Sequence, residues 1–304
     1  MELLKKLLRV SVINISEIYN RDRKKATFIN ELLERIYFLT KFGYLPNFRN
    51  PKTLSEFICN QKLYGDFEKM ALLADKYAVR DLVEKKIGEK YLIELYGVFE
   101  SIDEINEEVY NSLPSNFVVK PNHASGRVYI NREENFPKFK SDIESFLSGF
   151  GENKNELQYN YIKRKLIIEK YINPQKGTLD EYKFWVFNGK VKSIRFAENI
   201  LKTKKDNTYK NRMYDTEWKT SKFQTSTNLA PKIEKPSCLG KMIEIAEILG
   251  EDLELSRIDL YHFDDTIKFG EITLTPSAGR VPYIPFEYEY QLFEELQADA
   301  NYAT

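Results

Sequence analysis

The residues best placed to do chemistry lie in RIDLYHFDDTIKFGEITLTPS, where Asp259 and Glu271 interrupt two strongly apolar runs. Carboxylates are depleted in strands. Side-chain alternation puts Arg257, Asp259 and Tyr261 on one face of the first run, and Glu271 and Thr273 on one face of the second. If Asp264, Asp265 and Thr266 form a three-residue loop, Phe263 pairs with Ile267, Asp259 falls opposite Glu271 and Arg257 opposite Thr273. A two-residue loop separates the carboxylates onto opposite faces, because a one-residue slip flips every side chain. Two facing carboxylates repel unless a cation sits between them, so Asp259→Asn is expected to spare or improve the stability of the metal-free protein. Paired hard oxygens suit Mg2+, which takes one or two carboxylates together with substrate phosphates. The plainer alternative is an outward-facing charge stripe.

Three further segments offer chemistry. FVVKPNHASGRVYI ends an apolar strand on Lys120 and continues into a loop with the small residues Ala124, Ser125 and Gly126. A lysine held at a strand end can neutralise a phosphate while loop N–H groups cap others, although one glycine makes a poor phosphate loop and His123 reads as a turn residue. LIIEKYI sets Glu169 and Lys170 behind three apolar residues. Such a strand leading into a linker can read an adenine edge with its backbone; an ordinary strand end with solvated charges is the alternative. In EYKFWVFNGKVKSIRF, Glu181, Lys183 and Trp185 share one face and Tyr182, Phe184 and Val186 the other, with Arg195 near the far end of the partner strand. Two cations and a carboxylate there serve either as cross-strand salt bridges or as a polyanion site.

The secondary structure around these residues is readable in outline. ATFINELLERIYFLTKFGYLP has Phe28, Leu32, Ile36 and Leu39 at helical spacing, which predicts an apolar face, and stops at Gly43 and Pro46. Thr53 and Glu56 form a T-x-x-E capping box before the apolar Leu54, Phe57, Ile58 and Leu63. A third helix is predicted from Glu68 to Lys86, ended by Gly88. YLIELYGVF, FVVK and LIIEKYI read as short buried strands, and Asn188-Gly189 is the dipeptide of a type I′ hairpin. A helix follows over Leu239 to Leu249, then the acidic hairpin. Helices followed by hairpins make an α+β chain with antiparallel sheet, not a doubly wound one.

Composition removes several classes. The 304 residues carry 46 Lys+Arg against 46 Asp+Glu, a net charge of zero, whereas gripping a nucleic-acid backbone needs a basic excess. Two distant cysteines, Cys59 and Cys238, support neither a disulfide framework nor a zinc site and fit a reducing compartment. Two histidines, His123 and His262, exclude multi-histidine metal chemistry. No GxGxxG or GxxxxGK[ST] is present. MELLKKLLRV forms an amphipathic pattern over residues 1–10 without a signal-peptide core. It reads as a packed helix, or as a weak membrane-surface contact.

Six segments in order, NPKTLSEFICNQKLYG, LADKYAVRDLVEKKIGEKYLIELYGVF, FVVKPNHASG, IIEKY, DEYKFWVFNGKV and RIDLY…FGEITLTPSAG, resemble the ATP-grasp superfamily and within it the TupA-like branch of teichuronopeptide biosynthesis. The resemblance covers about residue 45 to residue 290. It implies an α+β fold of two antiparallel-sheet lobes gripping ATP: a helical region over 1–65, a helix–strand segment over 66–115, a small lobe over 116–178, and a large lobe over 179–304 with the metal site and a C-terminal helix. By the same resemblance, Lys120 and the Ser125-Gly126 loop meet the phosphates, and Glu169, Lys170, Tyr171 and Ile172 line the adenine pocket. Glu181 contacts ribose, and Lys183 lies near the γ-phosphate or the acceptor. Arg257 stabilises the transferred phosphoryl group, with Arg195 and Arg212 as looser catalytic candidates, and Asp259 and Glu271 hold Mg2+. The chain departs from the wider pattern at Thr273, where Asn usually completes the metal set, and at Ala124, where the branch often has Gly.

The resemblance implies a cytoplasmic ligase that uses ATP and Mg2+ to join a carboxylate, such as a uronic acid of a surface or capsular polysaccharide, to an amine or amino acid through an acylphosphate. No nucleic-acid partner is expected, and contact with the inner face of the membrane would run through residues 1–10. A glycosyltransferase of polysaccharide assembly is the competing reading, but no D-x-D motif supports it. A non-catalytic nucleotide-binding scaffold is the third, and it would be expected to have lost the acid pair.

Overall fold

The computed structural model describes residues 18, 22–124, 128–130, 135–147, 156–175, 178–198, 200, 210–226 and 228–302; the amphipathic 1–10 segment lies outside them. Helix α1 (Arg23–Lys41) starts at Asp22, whose carboxylate accepts from the Lys25 N–H at 3.0 Å. Its buried face is not the predicted one. Ala26, Asn30, Glu34 and Phe38 point inward, while Phe28, Leu32 and Leu39 are 68%, 49% and 48% exposed. Glu34 on that inward face pairs with Lys62 and Arg280, described below, so ion pairing overrides the apolar periodicity. Helix α2 (Leu54–Tyr64) is capped by Thr53, which accepts from the Glu56 N–H. Glu56 accepts from the N–H groups of Asn47 and Lys52, so only half of the capping box forms.

The predicted third helix is two, α3 (Phe67–Ala74) and α4 (Val79–Ile87). The Asp75 carboxylate accepts from the backbone N–H of Tyr77 and Ala78, and this local turn competes with helix continuation. The break turns Lys76 away from any helix surface. Helices α5 (Glu107–Ser112) and α6 (Phe136–Ile143) flank the smaller sheet, and α7 (Leu239–Gly250) and α8 (Tyr288–Tyr302) the larger one. Among the described residues no helix is long and apolar enough to cross a membrane.

Strands β1 (Leu95–Phe99), β2 (Phe117–Pro121), β3 (Tyr129–Ile130) and β4 (Leu166–Lys170) form an antiparallel sheet ordered β1-β4-β2-β3. Its edge strand β1 therefore comes from the segment read as preceding the lobe. Phe117, Val119, Leu166 and Ile168 face Phe139 and Ile143 of α6, which leaves Lys120 and Glu169 on the other face.

Strands β5 (Asp180–Phe187), β6 (Lys190–Ala197), β7 (Arg212–Tyr214), β8 (Leu255–Phe263) and β9 (Thr266–Thr273) form the second antiparallel sheet, ordered β7-β6-β5-β8-β9. Tyr182, Phe184, Val186, Ile258 and Leu260 pack on Met242, Ile245 and Leu249 of α7. Each such side chain contributes roughly 1.5–3 kcal/mol by leaving water. On the opposite face, Trp185, Phe187 and Leu255 meet α2 and α8 through Leu54, Phe57, Leu292 and Phe293. The rest of that second face carries the charged residues. The Asn188-Gly189 turn has φ of 46° and 76°, the type I′ geometry expected.

The second hairpin departs from expectation at its turn. Asp264 and Asp265 alone form it, with φ of 45° and 58°, and Phe263 pairs with Thr266. A bulge at Gly270 inserts one residue into β9, so Asp259 still pairs with Glu271 and Arg257 with Thr273. Two deviations cancel. Gly270 permits this because a Cβ there would lie 3.0 Å from the Asp259 carbonyl oxygen.

Candidate active site between the two sheets

On the large sheet, strand order places Arg195, Lys183, Asp259 and Glu271 in one row across β6, β5, β8 and β9. Arg257 donates from Nε to Asp259 Oδ1 at 2.7 Å and from Nη2 to Asp259 Oδ2 at 2.9 Å, to Glu271 and to Thr273 Oγ1 at 3.1 Å. The cation between the two carboxylates is thus the protein's own guanidinium. Lys183 donates to Asp259 and lies 3.0 Å from Glu181. Burial opposes the charge of Lys183, but Asp259 and Glu181 outweigh it and raise its pKa. Burial pushes Asp259 up, against Arg257 and Lys183. Glu271, 40% exposed along its side chain, is held well below the usual carboxylate range by Arg257, Lys183 and Lys76.

The small sheet supplies the facing groups. Lys120 Nζ pairs with Glu169 at 2.8 Å, and Arg80 of α4 reaches the other Glu169 oxygen at 3.5 Å. Lys76 donates to the Ala124 carbonyl at 2.6 Å, and burial lowers its pKa. The charges it feels come from both sheets: Glu271 from one, Lys120 and Glu169 from the other. Buried Asn122 ties this corner together. Its side chain bonds Asp75 and Lys163 and accepts from the Lys165 N–H, while its carbonyl accepts from the Lys76 N–H.

Beyond β9 the chain turns sharply at Pro276–Gly279, where Ser277 and Ala278 have φ of 53° and 55°. This left-handed backbone in residues bearing a Cβ is strained and is held from below. Lys62 Nζ donates to the Ala278 carbonyl at 2.9 Å and pairs with Glu34 at 2.9 Å, and Arg280 pairs with Glu34 as well.

The structure brings together Lys120, Glu169, Glu181, Lys183, Arg257, Asp259, Glu271 and Thr273. Tyr171 and Ile172 lie where the chain crosses between sheets, and Ile172 packs on Leu179, Ala197 and Ile200. Lys170 turns outward to Glu94, at 3.1 Å. Arg195 shares the face of the site. Arg212 does not: it pairs with Phe196, whose side chain lies in the α7 core, and its Nε donates to the Ala230 carbonyl at 2.7 Å. Ser125 and Gly126 lie outside the described residues. Sequence reasoning missed Lys76, Arg80 and Asn122. Lys76 is hidden because helical periodicity runs through it; Asp75 before it, a turn-forming residue inside an apparent helix, is the signal that could have exposed the break.

Asp259, Glu271 and the Thr273 hydroxyl present hard oxygens on one face, a donor set that fits Mg2+. Among the described residues no third acidic, histidine or cysteine donor joins them, so phosphate and water would fill the remaining positions. Thr273 Oγ1 donates to Glu271 at 3.1 Å while accepting from Arg257, which orients that carboxylate.

Two antiparallel sheets whose charged faces both bear on Lys76, and a linker crossing between them, define an α+β protein of the ATP-grasp type. The family model described as TupA-like ATPgrasp matches residues 56–297, and the chain belongs to that family. No curated protein matches it. Among solved structures, D-alanine–D-alanine ligase from Bacillus anthracis complexed with ATP is 16% identical over 68% of this chain and 55% of its own, with a TM-score of 0.42. That enzyme from Helicobacter pylori is 19% identical over 72% and 60%, TM-score 0.40. The ATP-grasp ligase PsnB, complexed with a precursor variant, Mg and ADP, is 9% identical over 94% and 74%, TM-score 0.43. This chain thus spans little more than half the length of the D-alanine–D-alanine ligases named here.

Proposed function

We propose that the chain is a Mg-ATP-dependent carboxylate–amine ligase. The observation that carries this reading is the charge cluster of Arg257, Asp259, Glu271 and Lys183 on the large sheet, facing Lys76 and Lys120. A carboxylate oxygen of the acid attacks the γ-phosphorus, ADP leaves, and an acylphosphate results. An amine then attacks the acyl carbon and phosphate departs, leaving an amide. Neither step needs a protein nucleophile. The chain's part is to neutralise and align charge: Lys76 and Lys120 at the phosphates from one side, Arg257 and Lys183 at the phosphoryl group from the other. Mg2+, held by Asp259 and Glu271, supplies further neutralisation when bound. Glu181 meets the ribose, and the backbone from Glu169 to Ile172 reads adenine.

The family's tie to teichuronopeptide biosynthesis supports a uronic acid of a surface polysaccharide as the acid and an amino compound as its partner, inside the cell. The test is ADP release across a panel of uronic acids and amines. A signal requiring one of each is expected; turnover of a nucleotide sugar without ATP would overturn the reading.

A further inference from the structure

A pocket opens beside Arg257, lined by Trp185, Arg195, Thr225, Ser277 and Tyr283 among others. Trp185 pairs with Arg257 across β5 and β8, and Arg195 stands one strand further out, opposite Lys183. Trp185 is 2% exposed, yet its indole Nε1–H has no acceptor, and neither has the Nε–H of Arg195. The Arg195 guanidinium lies 5.2 Å from the Trp185 ring centre and forms no ion pair among the described residues. The nearby carboxylates are spoken for, Glu181 and Asp259 by Lys183 and Glu289 by Ser55 and Tyr283. Buried N–H donors are nearly always paired, and leaving two unpaired on one wall is costly. Both are donors and one belongs to a guanidinium, so an anionic acceptor satisfies them better than a neutral one.

We propose that this pocket seats a substrate carboxylate that does not react, the α-carboxylate of an amino acid serving as the amine; it rests on the ligase reading only in calling that amino acid a substrate. Neighbouring strands lie about 5 Å apart, so a carboxylate at Trp185 sits within one residue's width of Arg257. A molecule whose carboxylate and amine are separated by a single carbon spans that gap. Lys62, Glu34 and Arg280 gain a purpose too, since they hold the strained Ser277–Ala278 backbone as the pocket's opposite wall.

The chain has two tryptophans, so the indole N–H signals of 15N-labelled full-length protein report directly. Trp218 Nε1 donates to the Ile233 carbonyl at 3.1 Å and serves as the internal reference. Titration is with glycine, sodium glucuronate, glycine methyl ester and sodium chloride, with and without Mg-AMPPNP. The Trp185 signal is expected to move downfield and saturate with glycine, at least about tenfold more tightly than with glucuronate, while Trp218 stays still. Arg195→Met should weaken the glycine response about tenfold or more, the share of one charge-assisted hydrogen bond, and Arg195→Lys should restore part of it. No response to glycine, an equal response to the methyl ester or chloride, or equal or tighter binding of glucuronate would overturn the proposal. An intact glycine response in a chain that ligates nothing would instead sink the ligase reading and leave the carboxylate site standing.

Discussion

Two buried charge clusters flank the Pro276–Gly279 turn, and they are built differently. Glu34, Lys62 and Arg280 form a closed set: Glu34 and Lys62 are fully buried, and every charge is spent on protein. The set ends on the Ala278 carbonyl and holds a strained turn. The row on the large sheet has Asp259 shared between two cations, and Glu271 is half open to the cleft. Burial of ion pairs is therefore not what marks the candidate site here. What marks it is a buried pair whose network runs out to a surface that ligand can reach.

Breaking the open row should cost activity most. Arg257→Met removes the charge proposed to face the transferred phosphoryl group, and turnover is expected to fall about 10^3–10^5-fold, measured as acid- and amine-dependent ADP release. Breaking the closed set should cost stability. Glu34→Gln leaves Lys62 and Arg280 buried without their anion, and unfolding in urea should show a loss of about 3–5 kcal/mol. Equal loss of turnover per folded molecule in the two variants would erase the distinction.

Acid sharpens the same contrast. Burial opposes ionisation of Glu34 and Glu271, yet their cations hold both below the ordinary 4.5. A depressed carboxylate contributes stability that is complete above its unfolded value and lost as pH falls through its folded one. Urea midpoints should therefore decline below pH 4.5, and Glu34→Gln should flatten part of that decline. Lys183 works in the other direction. Its raised pKa adds stability that is present below 10.5 and lost above it.

Much of this was legible in the sequence. Alternation placed Lys183 and Trp185 away from the α7 core, and the Asn-Gly dipeptide specified its turn. The pairing of Asp259 with Glu271 was anticipated through the wrong turn, because a bulge at one glycine leaves no periodic trace. The sign of Asp259→Asn also reverses. With Arg257 and Lys183 both bound to Asp259, its loss leaves each buried cation one anion short, with Glu271 and Glu181 as their remaining partners, so the variant is expected to melt lower. The α1 face was misread for a related reason: partners of a buried Glu34 lie far away in sequence, at Lys62 and Arg280, where no local pattern can show them.

The smallest effect is expected at Lys170, and it tests how the linker reads nucleotide. On β4 the alternation that turns Glu169 to Lys120 turns Lys170 the other way, to exposed Glu94. Exposed pairs of this kind contribute little. If adenine is read by backbone groups between Glu169 and Ile172, Lys170→Ala should change ATP affinity by less than about twofold, with the preference over GTP intact. Lys76→Ala, by contrast, removes a cation placed between both sheets and should weaken ATP about tenfold or more. Calorimetric titration with AMPPNP separates the two. A large loss at Lys170 would mean that its side chain swings inward when nucleotide binds, and that the outward pair with Glu94 belongs to the empty cleft alone.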